Sequence, residues 1–235
     1  MIQGNIVQQM AQVLFYIEIS LYVILISAGI TGLVIFVIRW TAIQKAKGDP
    51  SQWIGILSKN LNSGILPDID NKKINEEKLP DRMIQTGLYN AGLAPEALEK
   101  VFEVQESMER RTLSSGVSFL GTVGANAPFV GLAGTVLGVL IAFNEFARTG
   151  GQGSSEVMVA IARSLIATAL GLLVAIPAVI GFNILKSRIK KQIDTTKEIR
   201  GLILARAVHA VSQSVNNDRE NIVTATTCSS VSGGV

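Results

Sequence analysis

The stretch GANAPFVGLAGTVLG, residues 124–138, holds four glycines, a proline and hardly a polar side chain. It resembles a loop that cradles phosphate, yet the chemistry for that is missing. A Walker-type loop needs a Lys and a Ser or Thr directly after its last glycine, because backbone amides alone do not neutralise a triphosphate. Here Val139, Leu140 and Ile141 follow. A dinucleotide fingerprint needs a preceding strand and an acidic residue about 20 positions on, and neither is present. The glycines serve something other than a nucleotide.

Outward from this stretch the chain stays uncharged. Thr112 to Asn144 is a run of 33 residues without Asp, Glu, Lys or Arg, and two further runs cover Ile19–Ile38 (20 residues) and Ser164–Leu185 (22 residues). A membrane-spanning helix needs about 20 predominantly apolar residues. The sharp charge boundaries and a mean hydropathy of +0.40 argue against the alternative, a soluble protein with three buried helices. The expected fold is an all-α membrane protein with three transmembrane helices at 18–39, 113–145 and 163–186. The second and third extend into a cytoplasmic helical domain formed by 40–112 and 187–235. Glycine suits such helices, since helical backbone is bonded internally and small residues allow close approach.

Charge placement sets the orientation. No Lys or Arg precedes Arg39, eleven fall in Arg39–Arg111 and eight lie from Lys186 onward, while only Arg148 and Arg163 flank the hairpin at 146–162. The positive-inside rule therefore places the N-terminus (1–17) and that hairpin outside, with the central region and C-terminal tail in the cytoplasm. The uncharged start lacks the basic flank and cleavage site of a signal peptide, so the first span is expected to be retained. One cysteine, Cys228, excludes a disulfide framework within the chain. A pI near 9.1 is accounted for by cations at the membrane face, beside anionic inner-membrane lipids, without nucleic acid.

The polar segments read as modest helices. Gly48, Asp49-Pro50, Gly64 and Leu66-Pro67 punctuate 41–80 as loop. Residues 95–111 open on Pro95 and repeat apolar residues at Leu98, Val101, Phe102 and Met108, a helix expected to run straight into the second span. The third span should continue to about Val215, and the final TTCSSVSGGV should be disordered. His209 has no second ligand nearby in sequence, so a helix-surface histidine is the expectation. No catalytic triad, metal spacing or internal repeat is present, and no cofactor is expected.

The second and third spans share a pattern. Gly124, Pro128, Gly131, Thr135, Gly138 and Ala142 are spaced 4, 3, 4, 3, 4, a single stripe about 80° wide at 100° per residue. Ser164, Thr168, Gly171, Ala175 and Ala178 repeat the spacing in the third span, which also holds Pro177. One reading is tight helix packing at Gly124, Pro128, Gly131, Gly138, Gly171 and Pro177, with the Thr hydroxyls bonded back to their own helices. The other is that these faces line a narrow path around a foreign helix, with Thr135 and Thr168 as its polar points and Ser164 beside them.

ANAPFVGLAGTVLGV (125–139) followed by IARSLIATALGLLVAIPAVIGFNIL (161–185) closely resembles the MotA/TolQ/ExbB proton-channel family, nearer to its TolQ/ExbB branch. The likeness covers the three-span order, the cytoplasmic insert and both motifs, while the N-terminal third matches only in layout. It implies a subunit of an inner-membrane motor that uses an ion gradient for mechanical work across the bacterial envelope. It further implies a homo-pentamer encircling two copies of a TolR/ExbD-like single-span partner with an essential Asp. Thr135 of GTVLG and Thr168 of LIATALG match the family's ion-path threonines.

One position departs. The family motif usually reads I-A-E-A-L, and here it is Ile161-Ala162-Arg163-Ser164-Leu165. A guanidinium cannot be deprotonated in a protein and cannot relay protons. Arg163 could pair with Glu145, Glu156 or a partner carboxylate, or snorkel to the outer interface. It sits about 140° around the helix from Thr168.

The three runs contain no group able to take and release charge at mid-depth, where such groups are costly and conspicuous. Alone, the chain offers hydroxyls and no titrating carrier, so it reads as half of a machine. A gated channel and a non-transporting scaffold remain the alternative classes. H+ and Na+ both suit hydroxyls and carbonyls. The orientation is directly testable: a cysteine at Ser154 should react with an impermeant thiol reagent from the periplasm, and one at Ser58 only after the membrane is opened. Opposite labelling would overturn it.

Overall fold

The computed structural model describes residues 2–59, 74–148, 150 and 154–231; several side chains, including those of Glu145, Arg148, Ser154 and Glu156, fall outside this description. Gly64, Leu66 and Pro67 also lie outside it, as do most of the hairpin tip and the last four residues. All regular structure among the described residues is α-helix: α1 (Ile2–Ala46), α2 (Pro50–Lys59), α3 (Leu79–Tyr89), α4 (Pro95–Ser114), α5 (Val117–Arg148) and α6 (Ser154–Val231). Three of these helices are long and apolar enough to cross a membrane. The chain divides into two compact units, one of residues 1–41 with 114–187 and one of 42–113 with 188–235.

The first unit is a three-helix bundle. α5 and α6 run antiparallel: Gly124 faces Val179, Gly131 faces Thr168 and Gly171, and Gly138 faces Ser164. α1 lies parallel to α6, with Gly29 against Val174 and Phe36 against Gly181. Leu25 joins Val123, Ala127, Ala175 and Ala178 in the buried cluster between the three helices. The rest of the apolar surface points outward, including Leu33, Phe129, Leu140, Phe143, Leu165 and Leu173, each at least half exposed. Such a distribution inverts a water-soluble fold and suits lipid or a further protein surface.

The second unit is built on water-side physics. Trp53, Leu57, Met83, Ile84, Leu98, Phe102, Ile199 and Ile203 form one buried core between α2, α3, α4 and the distal part of α6. Asp81 is buried beside it and satisfied, accepting hydrogen bonds from Trp53 Nε1 at 2.6 Å and from the Asn75 amide at 2.8 Å. The buried face of α4 is Leu98, Phe102, Glu106, Glu109 and Leu113. Arg82 grips Glu109 through two nitrogens, each 2.7 Å from a carboxylate oxygen, and Arg200 reaches Glu106 at 3.4 Å. Such fork-to-fork pairing is what makes a carboxylate tolerable at a buried position.

Four expectations change. α4 does not run straight into the second span: the helix breaks at Ser115–Gly116, where Gly116 adopts φ +73°. That left-handed conformation is open to glycine at little cost. Within 41–80, α1 continues to Ala46, and Asp49 starts α2 by accepting the Ser51 amide at 3.0 Å. The Pro at the first helical position suits this start. Met108 is 61% exposed rather than part of the α4 core, because the apolar pattern overlooked the two glutamates whose charge is met by arginine. The tail expected to be disordered is helical as far as Val231.

Close packing along α5 and α6 yields a stability prediction. A Cβ at Gly131 would lie 2.8 Å from the Ala167 carbonyl oxygen and 3.0 Å from Thr168 Cα, both backbone atoms that cannot turn aside. Gly131→Leu should therefore part the two helices and cost about 3 kcal/mol, the upper end of what overpacking typically costs. Thermal unfolding of the detergent-solubilised protein should show a large drop in midpoint, and an unchanged midpoint would refute the packing.

Candidate functional site

The glycine stripe of α5 and the small-residue stripe of α6 meet each other inside one chain. Gly171 answers Gly131, with its Cβ position 2.7 Å from the Ala127 carbonyl oxygen, and Ser164 fills the space at Gly138. Pro128 sits half-buried inside α5, whereas Pro177 within α6 is exposed. At both prolines the helix continues, because neighbouring groups can re-satisfy the freed backbone at membrane depth.

The hydroxyls have unequal environments. Thr168 donates across the seam to the Gly131 carbonyl at 3.2 Å, a bond between helices. Thr135, one turn along α5 from Gly131, donates to the Leu132 carbonyl of its own helix at 2.7 Å and is half-exposed. Ser164 is 1% exposed and donates to the Ile161 carbonyl at 2.7 Å. Of these three, Thr168 alone spends its hydroxyl on tertiary structure.

At the other end of the seam stands an arrangement that the sequence did not suggest. Glu18 of α1 and Arg163 of α6 line a cavity of about 350 Å³ together with Phe15, Ser155 and Val159. The Tyr22 hydroxyl lies 3.2 Å from Glu18 Oε1 and 3.3 Å from the Arg163 carbonyl. The acid brought toward Arg163 among the described side chains is thus Glu18, 145 residues away in the chain. The side chains of Glu145 and Glu156, named earlier as its possible partners, lie outside the described residues. A parallel α1–α6 pair would have revealed Glu18, but nothing in the apolar runs specifies which helices pair. At the opposite edge of this unit, Lys186 lies 5.4 Å from the Phe182 ring centre, capping the third apolar run with a cation over an aromatic face.

These features define a multi-pass membrane protein whose last two spans are joined through backbone contact. The profile of the MotA/TolQ/ExbB proton channel family matches residues 75–198, more than half of the chain, and the chain belongs to that family. It is 39% identical over 100 residues to the biopolymer transport protein ExbB of Aquifex aeolicus, covering 43% of this chain and 67% of that one. It is 31% identical over 175 residues to the Tol-Pal system protein TolQ of Pseudomonas aeruginosa, covering 70% and 76% respectively. A shorter match, 49% over 74 residues, is to the biopolymer transport protein ExbB of Pseudomonas putida, covering 32% of this chain and 22% of that protein. The matched family segment contains α3, α4, α5 and the span of α6 and leaves out α1.

The different bonding of the two threonines predicts different costs of removal. Thr168→Val deletes an interhelical bond worth about 0.6 kcal/mol in a membrane setting and leaves the Gly131 carbonyl with its helical partner alone. Thr135→Val deletes only a bond within its own helix and should leave stability close to wild type, since back-bonding does not stabilise helices. Paired thermal melts should show Thr168→Val below wild type and Thr135→Val level with it.

Proposed function

We propose that this chain is a subunit of an ion-driven, proton-driven motor of the bacterial inner membrane. With a TolR/ExbD-like single-span partner it converts the ion gradient into mechanical work on the cell envelope. The observation that carries this reading is the absence of any acid or base between the ends of the three apolar runs, joined to membership of a proton channel family. A path lined by hydroxyls needs a titrating group from elsewhere, and a partner helix with an Asp supplies one. Thr135 and Thr168 form the polar constriction on the approach to that carboxylate, with Ser164 farther along the same seam. Moving one charge through 100 mV releases about 2.3 kcal/mol, so a dry barrier between water and carboxylate would consume much of each step.

The chain works as a homo-oligomer, five-fold by family resemblance, around two copies of the partner. Because the small-residue faces of α5 and α6 are spent on each other, the contacts between copies fall on the outward apolar faces, such as that of Phe129, Leu132, Val136 and Phe143. The N-terminus and the α5–α6 hairpin face the periplasm and the second unit faces the cytoplasm. Arg163 sets a fixed positive charge opposite Glu18 at the outer end of the bundle.

A second reading, a scaffold that transports nothing, is favoured by the engagement of the Thr168 hydroxyl with Gly131. One experiment separates them. With the partner co-expressed, the double variant Thr135→Val, Thr168→Val should assemble to the same oligomeric mass yet lose most of its ion-dependent work. Full activity of that variant would refute the ion path. Arg163→Ala run beside it should lower activity clearly if the charge pairs with Glu18, and barely at all if the side chain only reaches for water.

A further inference from the structure

The second unit contains a cavity of about 910 Å³ where α1 ends, α2 and α3 begin and α6 passes. Its wall carries three cations, Lys47, Arg188 and Lys191, against one anion, Asp49. Asp49 is itself occupied: the hydroxyl and amide of Ser51 both donate to its Oδ1, at 2.6 and 3.0 Å, and they hold its carboxyl below the usual carboxylate range. The cavity is therefore electropositive. Gln192 fixes one side of it, its Nε2 donating to the Ile43 carbonyl at 2.8 Å, while its Oε1 is buried with no hydrogen-bond donor among the described residues.

Sequence position gives the cavity a setting. Arg188 and Lys191 follow Lys186, the residue that closes the third apolar run, by two and five positions, within about 8 Å at 1.5 Å per helical residue. Ile43 and Lys47 follow Arg39, which closes the first run, by four and eight. All of them belong to the layer where lipid headgroups lie. Anionic lipids attract cations there at about 1 kcal/mol each, and a concave, part-apolar wall adds shape to that attraction. A volume of this size suits a small organic anion. A diffuse basic surface would need no cavity.

We propose that this cavity binds a phosphate-bearing group, the headgroup of an anionic phospholipid, with Lys47, Arg188 and Lys191 around the phosphate. A glycerol headgroup would also bring hydroxyl donors to the side where Gln192 Oε1 lacks one. Headgroup binding here would tether α1 and α6 to the lipid layer just where both leave it. The inference rests on the membrane-spanning reading of the fold and is independent of any ion path.

The test uses the full chain, incubated with vesicles of equal parts phosphatidylglycerol and phosphatidylcholine, re-extracted in mild detergent and weighed with its retained lipid by native mass spectrometry. Wild type should retain phosphatidylglycerol in preference. The triple variant Lys47→Gln, Arg188→Gln, Lys191→Gln should retain it at least about five-fold less, taking roughly a kcal/mol of electrostatic attraction as the unit per cation. The variant Lys45→Gln, Arg110→Gln, Lys190→Gln removes the same charge from exposed positions outside the cavity and should stay near wild type. Equal losses in both triples would overturn the proposal in favour of diffuse surface charge. Lys191→Gln alone, at an exposed position that cannot unfold the bundle, should show a partial loss, and Lys191→Arg should restore retention; failure of both overturns it as well. Lipid-stripped protein titrated with inorganic pyrophosphate distinguishes the source of the phosphate. A rise in melting temperature that needs the three cavity cations, with phosphatidylglycerol retention the same in all variants, would replace the lipid headgroup by a soluble phosphate. Lipid retention that survives Thr135→Val, Thr168→Val while ion-dependent work is lost keeps this site separate from the proposed motor function.

Discussion

Direct backbone contact between α5 and α6 is the constraint on which the membrane unit depends. In lipid, apolar side chains gain little by leaving an environment as apolar as themselves, so helices associate through close van der Waals packing and interhelical hydrogen bonds. The Gly131–Gly171 crossing supplies the first, since a Cβ on Gly171 would come within 3.0 Å of Gly131 Cα. The Thr168 hydroxyl on the Gly131 carbonyl supplies the second at the same level. Everything else in that unit is arranged around the seam. α1 adds its own small and branched residues to one side, through Gly29 and Leu25, and the bulky side chains are left to face outward.

The second unit obeys different rules because water is its reference state. Its core is an ordinary apolar cluster around Phe102 and Ile199, for which burial from water contributes about 25 cal/mol per Å². Its distinctive feature is charge held inside: Glu109 in the fork of Arg82, Glu106 opposite Arg200, and Arg206, 2% exposed, whose guanidinium pKa is lowered by burial. Removing one partner of such a pair is costlier than the pair itself is stabilising, so these contacts specify how α3, α4 and α6 register more than they add to stability. In the membrane unit the register comes from glycines; in this one it comes from paired charges.

This division bears on function. The proposed role needs a rigid wall for the path, and the close packing of α5 on α6 is the rigid element this chain offers. At the Gly131–Gly171 crossing the seam is backbone against backbone, and the hydroxyl residues Thr135 and Thr168 beside it are both partly exposed. Glu18, Tyr22 and Arg163 gather polar and charged groups at one end of the same unit.

The sequence by itself determined the class of the protein. Three charge-free runs of sufficient length leave helices as the spanning structure, because every backbone group in lipid must be bonded within its own segment. The 4, 3 spacing of Gly124, Pro128, Gly131, Thr135 and Gly138 also marked one face of α5 as different. That signal is local, repeating every turn, and so can be read without the fold. Which face that stripe meets is another matter: a small-residue face fits its neighbour in the chain, another copy or a foreign helix equally well by composition, and only the tertiary structure chose Ser164, Thr168 and Gly171. The same holds for Glu18 beside Arg163 and for Glu106 and Glu109 inside the second unit. A charge reads as solvent-exposed until its counter-ion, far away in sequence, is brought to it, and Gly116 reads as any other glycine until its φ of +73° ends one helix and begins the next. Periodicity fixes which residues share a face; long-range pairing decides what that face touches, because contact energies depend on partners that local sequence does not name.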